Sequence, residues 1–276
     1  MEFTAVSWNL FHGRDFPPDP ALFTWRSRLL RVTERNDAHV QVNQDLMTEF
    51  ATVLANAEWD VAMLQECPPR FAAPLALACA AGGHRALTSR NSLGALRAAV
   101  ARLNPDLVAS GEGGSNLTLV REAGPLGRIL ERREAVIHEG RPERRAMAFV
   151  RTGSGVCIAN LHATNNRPTL AIEDVLRAAE TARAWAGEDP LLFGGDLNLR
   201  PAEDAALFTA LRDRFGLAGT TGPGAIDHLL SRGLRIATQP MTWPAERREL
   251  LRDGLALRLS DHAPVQARFK IGGAGG

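Results

Sequence analysis

Apolar positions along the chain follow two rhythms. Residues 3–10 alternate between apolar and polar, the period of a half-buried strand. Val42, Leu46, Phe50, Val53 and Leu54 recur at spacings of three and four, which predicts an amphipathic helix over 42–57. A short apolar run at 60–65 then reads as a buried strand. Helices are predicted at 71–81 and 93–103, and a strand at 116–121. Segments 129–137, 145–151 and 155–162 read as successive antiparallel strands. They are joined by Gly/Pro turn chemistry at 138–142 and 152–155. A helix is predicted over 169–186, with Pro168 at its first turn. Strands follow at 190–193, 225–230 and 264–271, with a helix at 202–211.

Helices and hairpins are mixed rather than strictly alternating. The pattern predicts an α+β (mixed α/β) fold with sheets packed on each other, not a doubly wound nucleotide fold. No composition break interrupts it, so one domain over 1–271 is expected, with a frayed tail at 272–276. The 45% hydrophobic content excludes a disordered chain. Cys67, Cys79 and Cys157 are too few and too scattered for a disulfide scaffold. They are expected to be packing residues in a reducing compartment. The longest apolar runs, such as 72–81, fall short of the ~20 residues a spanning helix needs. The first residues lack the basic and apolar regions of a signal peptide. A cytoplasmic monomer is expected. Net charge is +1, so a polyanionic partner has to be drawn by a local patch. The chain has one lysine, Lys270, against 31 arginines, which reads as a coding habit rather than a binding site.

Candidate chemistry sits where the apolar runs stop. Asn9 ends the first. Gln65 and Glu66 follow Val61–Leu64, and His162 follows Ile158–Leu161. Asp196 and Asn198 follow a run ending in Gly194 and Gly195. Asp227 follows Ile226, and Asp261 and His262 precede Ala263-Pro264-Val265. One polar residue at a strand end is an ordinary turn. Six such ends suggest convergence on one site, because buried charges have to be paired or bound to metal. His228 adjoins Asp227 on a strand and is expected to face the other way. His12, His39, His84 and His138 are expected in loops or at the surface, His12 being nearest in sequence to Asn9.

These stretches resemble the endonuclease/exonuclease/phosphatase superfamily, which includes deoxyribonucleases, apurinic endonucleases, neutral sphingomyelinases and inositol polyphosphate 5-phosphatases. The matching pieces are Ser7-Trp8-Asn9, Leu64-Gln65-Glu66, Asn160-Leu161-His162, Gly195-Asp196-Leu197-Asn198, Ile226-Asp227-His228 and Ser260-Asp261-His262-Ala263-Pro264-Val265. Each alone is weak; the ordered set, from residue 7 to 265, is specific. The resemblance implies a four-layer α/β/β/α sandwich, two mixed sheets face to face with helices outside.

It also implies a hydrolase that needs Mg²⁺ or Mn²⁺. Glu66 would bind the ion, with Asn9 as a neutral ligand or phosphate-orienting amide and Asp261 as a further carboxylate. Asp196 would position or deprotonate the attacking water, and Asn198 would hold the phosphate or that water. His262 would contact the phosphate, charged and oriented by Asp227, and His162 would donate a hydrogen bond to it. The expected substrate is a phosphodiester of nucleic acid or a nucleotide. A phospholipid headgroup or an inositol phosphate is the enzymatic alternative. A catalytically silent binding module is the non-enzymatic one, and its mark would be a lost reactive position; none is lost. The chain departs from the apurinic branch in carrying Phe11 two positions after Asn9, and Cys67-Pro68-Pro69-Arg70 after Glu66. Stretches 13–41 and 84–114 exceed the family minimum. Their arginines, Arg26, Arg28, Arg31 and Arg35 or Arg90 and Arg97, would either line a phosphate groove or form solvated helix faces.

Overall fold

The computed structural model describes residues 1–88, 94–104, 113–140 and 143–272. The strands, in chain order, begin with β1 (Glu2–Asn9), the short β2 (Glu34–Arg35) and β3 (Val40–Gln41), and β4 (Val61–Cys67). Next come β5 (Ala81–Leu87), β6 (Ser115–Arg121), β7 (Ile129–His138), β8 (Arg145–Thr152), β9 (Cys157–His162) and β10 (Leu191–Asp196). The last are β11 (Asp227–Arg232), β12 (Leu234–Thr242), β13 (Glu249–Arg252), β14 (Leu255–Arg258) and β15 (Val265–Ile271).

Two sheets carry the fold. One runs β12-β15-β1-β4-β6-β5 and the other β11-β10-β9-β8-β7. Each is antiparallel except for one parallel pair, β1 with β4 and β9 with β10. The sheets face each other through a core that includes Phe3, Ala5, Val61, Met63, Ile158, Leu192 and Phe269. On the outer side of the first, Val6, Trp8 and Leu64 pack with Phe50 and Leu54 of helix Met47–Asn56 and Leu75 of helix Ala72–Ala78. On the outer side of the second, Ala159, Leu161 and Phe193 meet helices Pro168–Ala186 and Ala205–Phe215. The long helix presents Ala171, Ala178, Ala179, Ala182 and Ala186, small side chains that let it lie close to the sheet. The order helix, sheet, sheet, helix is the predicted sandwich.

Local differences from the sequence reading have local causes. The helix predicted over 42–57 begins at Met47, because polar groups hold the segment before it in another shape. Val42 N donates to Asp15 Oδ2 at 2.8 Å, and Asn43 Nδ2 donates to Arg28 O at 2.6 Å. The helix predicted over 71–81 stops at Ala78, and Ala81–Leu87 is an edge strand. The predicted helix at 202–211 lies at Ala205–Phe215. Strand Leu234–Thr242 was not expected. The long stretch at 84–114, the turn at 138–142 and the tail at 272–276 each lie partly outside the described residues, and Arg90 lies wholly outside. Among the described residues, no helix is long and apolar enough to cross a membrane.

Candidate active site

Alternation along a strand decides which residues enter the space between the sheets. On β1 these are Phe3, Ala5, Ser7 and Asn9; on β4, Val61, Met63 and Gln65; on β9, Ile158, Asn160 and His162. Each series starts apolar and ends polar, and the two parallel pairs end together. Their registers set Asn9 beside Gln65 and Asp196 beside His162. The antiparallel β11 adds Asp227 opposite Asp196. Chain entering β15 supplies Asp261 and His262, and it is fastened to β1 by Ser260 Oγ donating to Asn9 O at 2.6 Å.

Glu66 needs a further device. By simple alternation it would follow Leu64 to the helix side. The β4–β6 register shifts between Leu64 and Cys67, and Glu66 takes a left-handed φ of +46°. A bulge of this kind re-aims a side chain. Phe11, His12, Asn198 and Ser260 are also left-handed without being glycine. Such backbone is costly for L residues and gathers at functional sites. Gly195 is fixed differently: at φ +121° a Cβ there would fall 2.0 Å from Leu161 O.

Asp196 stands at the centre. Its Oδ2 accepts from Asn9 Nδ2 at 2.9 Å and lies 3.4 Å from His162 Nε2 and 3.9 Å from His262 Nε2. Its Oδ1 accepts from Asn198 N at 3.1 Å, while Asn198 Nδ2 donates to Ala163 O. His262 Nδ1 meets Asp227 Oδ2 at 2.8 Å, which leaves Nε2 facing Asp196. The backbone around His262 is pinned, its carbonyl accepting from Trp8 Nε1 and Arg248 Nη1, each at 3.0 Å. Glu66 sits between two imidazoles, with His12 Nε2 3.3 Å from Oε2 and His162 Nδ1 3.9 Å from Oε1.

The electrostatics follow from this crowding. Burial, reinforced by Asp227, pushes the Asp196 carboxyl up to about 7 against the pull of His262 and the Asn9 bond. Burial works against charge on His262, but the bond and charge of Asp227, with Asp196 and Asp261 behind it, raise it to about 10. His162 is driven well below its usual value by burial and then by Arg145 and His262, so it stays neutral. Burial also lowers His12, and burial together with Glu66 raises Asp261.

The sequence model of the Endonuclease/Exonuclease/phosphatase family matches residues 6–262. This chain belongs to that family. No curated protein sequence matches it. Solved structures similar to it include an endonuclease/exonuclease/phosphatase from Bacteroides vulgatus, at 13% identity and TM-score 0.63, covering 99% of this chain and 100% of the other. Another is the mannosyl-6-phosphatase Bt3783 of Bacteroides thetaiotaomicron, at 14% identity and TM-score 0.62, covering 97% and 99%. A third is truncated TDP2 of Caenorhabditis elegans, at 16% identity and TM-score 0.56, covering 98% of each chain. At these identities the likeness is one of fold.

Members of this family are hydrolases of phosphate esters, and the family is generally dependent on a divalent metal. The residues present suit such an ion. Burial and the nearby Glu66 carboxylate both raise the proton affinity of Asp196 and of Asp261, an excess of negative charge that a dication relieves. Asp227 Oδ1 is buried without a hydrogen-bond partner among the described residues. Asp196, Asp227 and His262 also offer ligand atoms within 4.8 Å of one another, with His262 Nδ1 2.8 Å from Asp227 Oδ2.

All eight residues singled out from sequence lie at this one end of the sandwich. His228 faces away, buried, between Thr221 N and Leu199 O. The three cysteines are buried, and none forms a disulfide. Sequence reasoning placed His12 in a loop, and the structure brings it to Glu66. It also missed Arg145, 4% exposed at the start of β8, whose charge reaches His162. In a chain with 31 arginines, no sequence signal marks that one.

Proposed function

We propose that this protein is a divalent-metal-dependent phosphoesterase that cleaves phosphodiester bonds of nucleic acid or nucleotides. One observation carries the reading: a buried carboxylate, Asp196, is met by Asn9 and His162 from strands of the two sheets and by His262 from the chain entering β15. With its proton affinity near neutrality, Asp196 orients a water and takes its proton. Asn198 and Asn9 hold Asp196 and the phosphate in line. His262, kept cationic by Asp227, faces the phosphate with Nε2–H and stabilises charge that grows on its oxygens. Neutral His162 donates a hydrogen bond to the same group. Glu66, Asn9 and Asp261 would hold Mg²⁺ or Mn²⁺ as hard oxygen ligands. Such an ion, when bound, polarises a phosphate oxygen as a Lewis acid.

A ridge beside the site supports the nucleic-acid reading. The Phe11 and Phe16 rings lie 5.6 Å apart, and Phe16 and Phe23 lie 5.7 Å apart, all partly exposed. The Arg14 guanidinium stands 4.0 Å from the Phe11 centroid and that of Arg28 5.4 Å from Phe23. Mixed aromatic and arginine surfaces suit single strands, which need stacking as well as charge. The test is a panel of DNA, RNA, bis-p-nitrophenyl phosphate, sphingomyelin, inositol phosphates and a sugar 6-phosphate, each with Mn²⁺ and with chelator. The expected result is chelator-sensitive cleavage of the generic diester and of single-stranded nucleic acid. Turnover only of a monoester or a lipid would move the substrate assignment. Silence on every substrate would favour the binding module.

A further inference from the structure

The turn after Asn9 aims a histidine that the proposed chemistry leaves unused. The turn is held at several points. Leu10 N donates to Gln65 O at 2.8 Å, Phe11 N to Asn9 Oδ1 at 2.9 Å, and Gly13 N to Leu10 O at 2.8 Å. Phe11 and His12 are both left-handed, at φ +48° and +53°. Gly13, at φ +75°, lies so close to Phe71 that a Cβ would stand 2.6 Å from the ring. Gly114 closes over the pair, and a Cβ there would be 3.6 Å from both His12 Cε1 and Glu66 Cα. This bracing delivers His12 Nε2 to 3.3 Å from Glu66 Oε2. The other ring nitrogen, Nδ1, is buried without a hydrogen-bond partner among the described residues. Among the described residues, backbone and packing fix the imidazole, with no polar anchor on its far side. Its polar end is spent on the carboxylate.

Glu66 needs such a partner. It hangs on three rotatable bonds from a left-handed residue in a bulge, and freezing a glutamate side chain costs conformational entropy. We propose that His12 is a positioning residue whose Nε2–H donates to Glu66 Oε2 and holds the carboxylate in the orientation that takes the divalent cation. Oε1 then points to the His162 side, where the phosphate is expected. The inference rests on reading Glu66 as a cation ligand. Partners that orient a metal-binding carboxylate typically change affinity by about 10–100-fold when removed.

The test is Mn²⁺ binding by calorimetry on the full chain, for wild type, His12→Ala, His12→Asn, His12→Gln and Glu66→Gln. Unfolding temperature is recorded without metal. His12→Ala and His12→Asn should weaken Mn²⁺ binding about 10-fold or more. His12→Gln, whose amide reaches the Nε2 position, should recover most of it. Asparagine places its amide nearer Nδ1 and should not; it carries the test if the alanine variant fails to fold. A purely structural His12 would lower the metal-free unfolding temperature and leave Mn²⁺ affinity at the wild-type value. That result, with Glu66→Gln abolishing binding, overturns the role of His12 alone. Wild-type affinity in Glu66→Gln would remove the ligand reading and this inference with it.

Discussion

The space between the two sheets has two ends built from the same strands, and they behave as different materials. At one end Phe3, Val61, Met63, Ile158, Leu192 and Phe269 form an apolar core in ordinary strand conformation. A few residues further along the same strands, Ser7, Gln65 and Asn160 exchange hydrogen bonds, with Gln65 Nε2 donating to Asn160 Oδ1 at 2.8 Å. Beyond that belt lie Asn9, His162, Asp196 and Glu66; Glu66 has left-handed backbone, and burial moves the proton affinities of His162 and Asp196 far from their ordinary values. The apolar end supplies the free energy that the polar end consumes in buried charge and strained backbone. The belt grades one into the other: it satisfies polar groups too deep for bulk water and keeps the two parallel pairs in register.

Asp196→Asn breaks the comparison hardest. Turnover of a diester should fall by about 10²–10⁴-fold, the usual worth of a general base. Stability should move the other way. Because the folded Asp196 binds its proton more tightly than the unfolded chain does, its contribution falls as pH rises from the ordinary carboxylate range through about 7. The asparagine variant should therefore be the more stable protein at pH 8, as read from urea midpoints. A loss of stability there would contradict the assignment of strain to this end.

A matched pair sharpens the contrast. Met63→Ala empties a fully buried site in the apolar end and should cost about 2–5 kcal/mol, with the turnover of folded molecules unchanged. Gln65→Leu leaves Asn160 Oδ1 without that donor and should cost less, about 1–3 kcal/mol, yet lower turnover. Equal effects on turnover would erase the distinction between core and belt.

Asp227→Asn should act through pH. His262 holds its proton to about 10 because of Asp227, a contribution to stability fully present below its ordinary 6.5 and lost as pH rises through 10. Without that anion the His262 imidazole should titrate at lower pH by nuclear magnetic resonance. The alkaline limb of diester turnover should shift the same way. An unmoved histidine signal would dismiss the pairing as a source of its charge.

Much of this site was legible because its residue types are foreign to the ends of apolar runs. Asp196 after Leu191–Gly195 and His262 before Val265 are conspicuous from sequence alone. The sandwich, too, follows from mixed hairpins and helices. What stayed hidden depends on non-local pairing. The bulge at Glu66 exists because β4 pairs with β6, about fifty residues away in sequence, and no local pattern announces it. Ala81–Leu87 carries Gly82 and Gly83 and no β-branched residue, so its strand comes from pairing with β6 rather than from propensity. Leu234–Thr242 is an edge strand whose exposed positions blur the alternation. His12 sits in a turn whose shape Gln65 and Phe71 impose from elsewhere in the chain.

The most direct measurement is anomalous diffraction from crystals grown with Mn²⁺ and inorganic phosphate. The account predicts a manganese peak against Glu66, with a phosphate oxygen on the ion and the same phosphate within hydrogen-bond reach of His162 and His262. Manganese and phosphate bound away from these residues, with Glu66 and Asp196 bare, would contradict it.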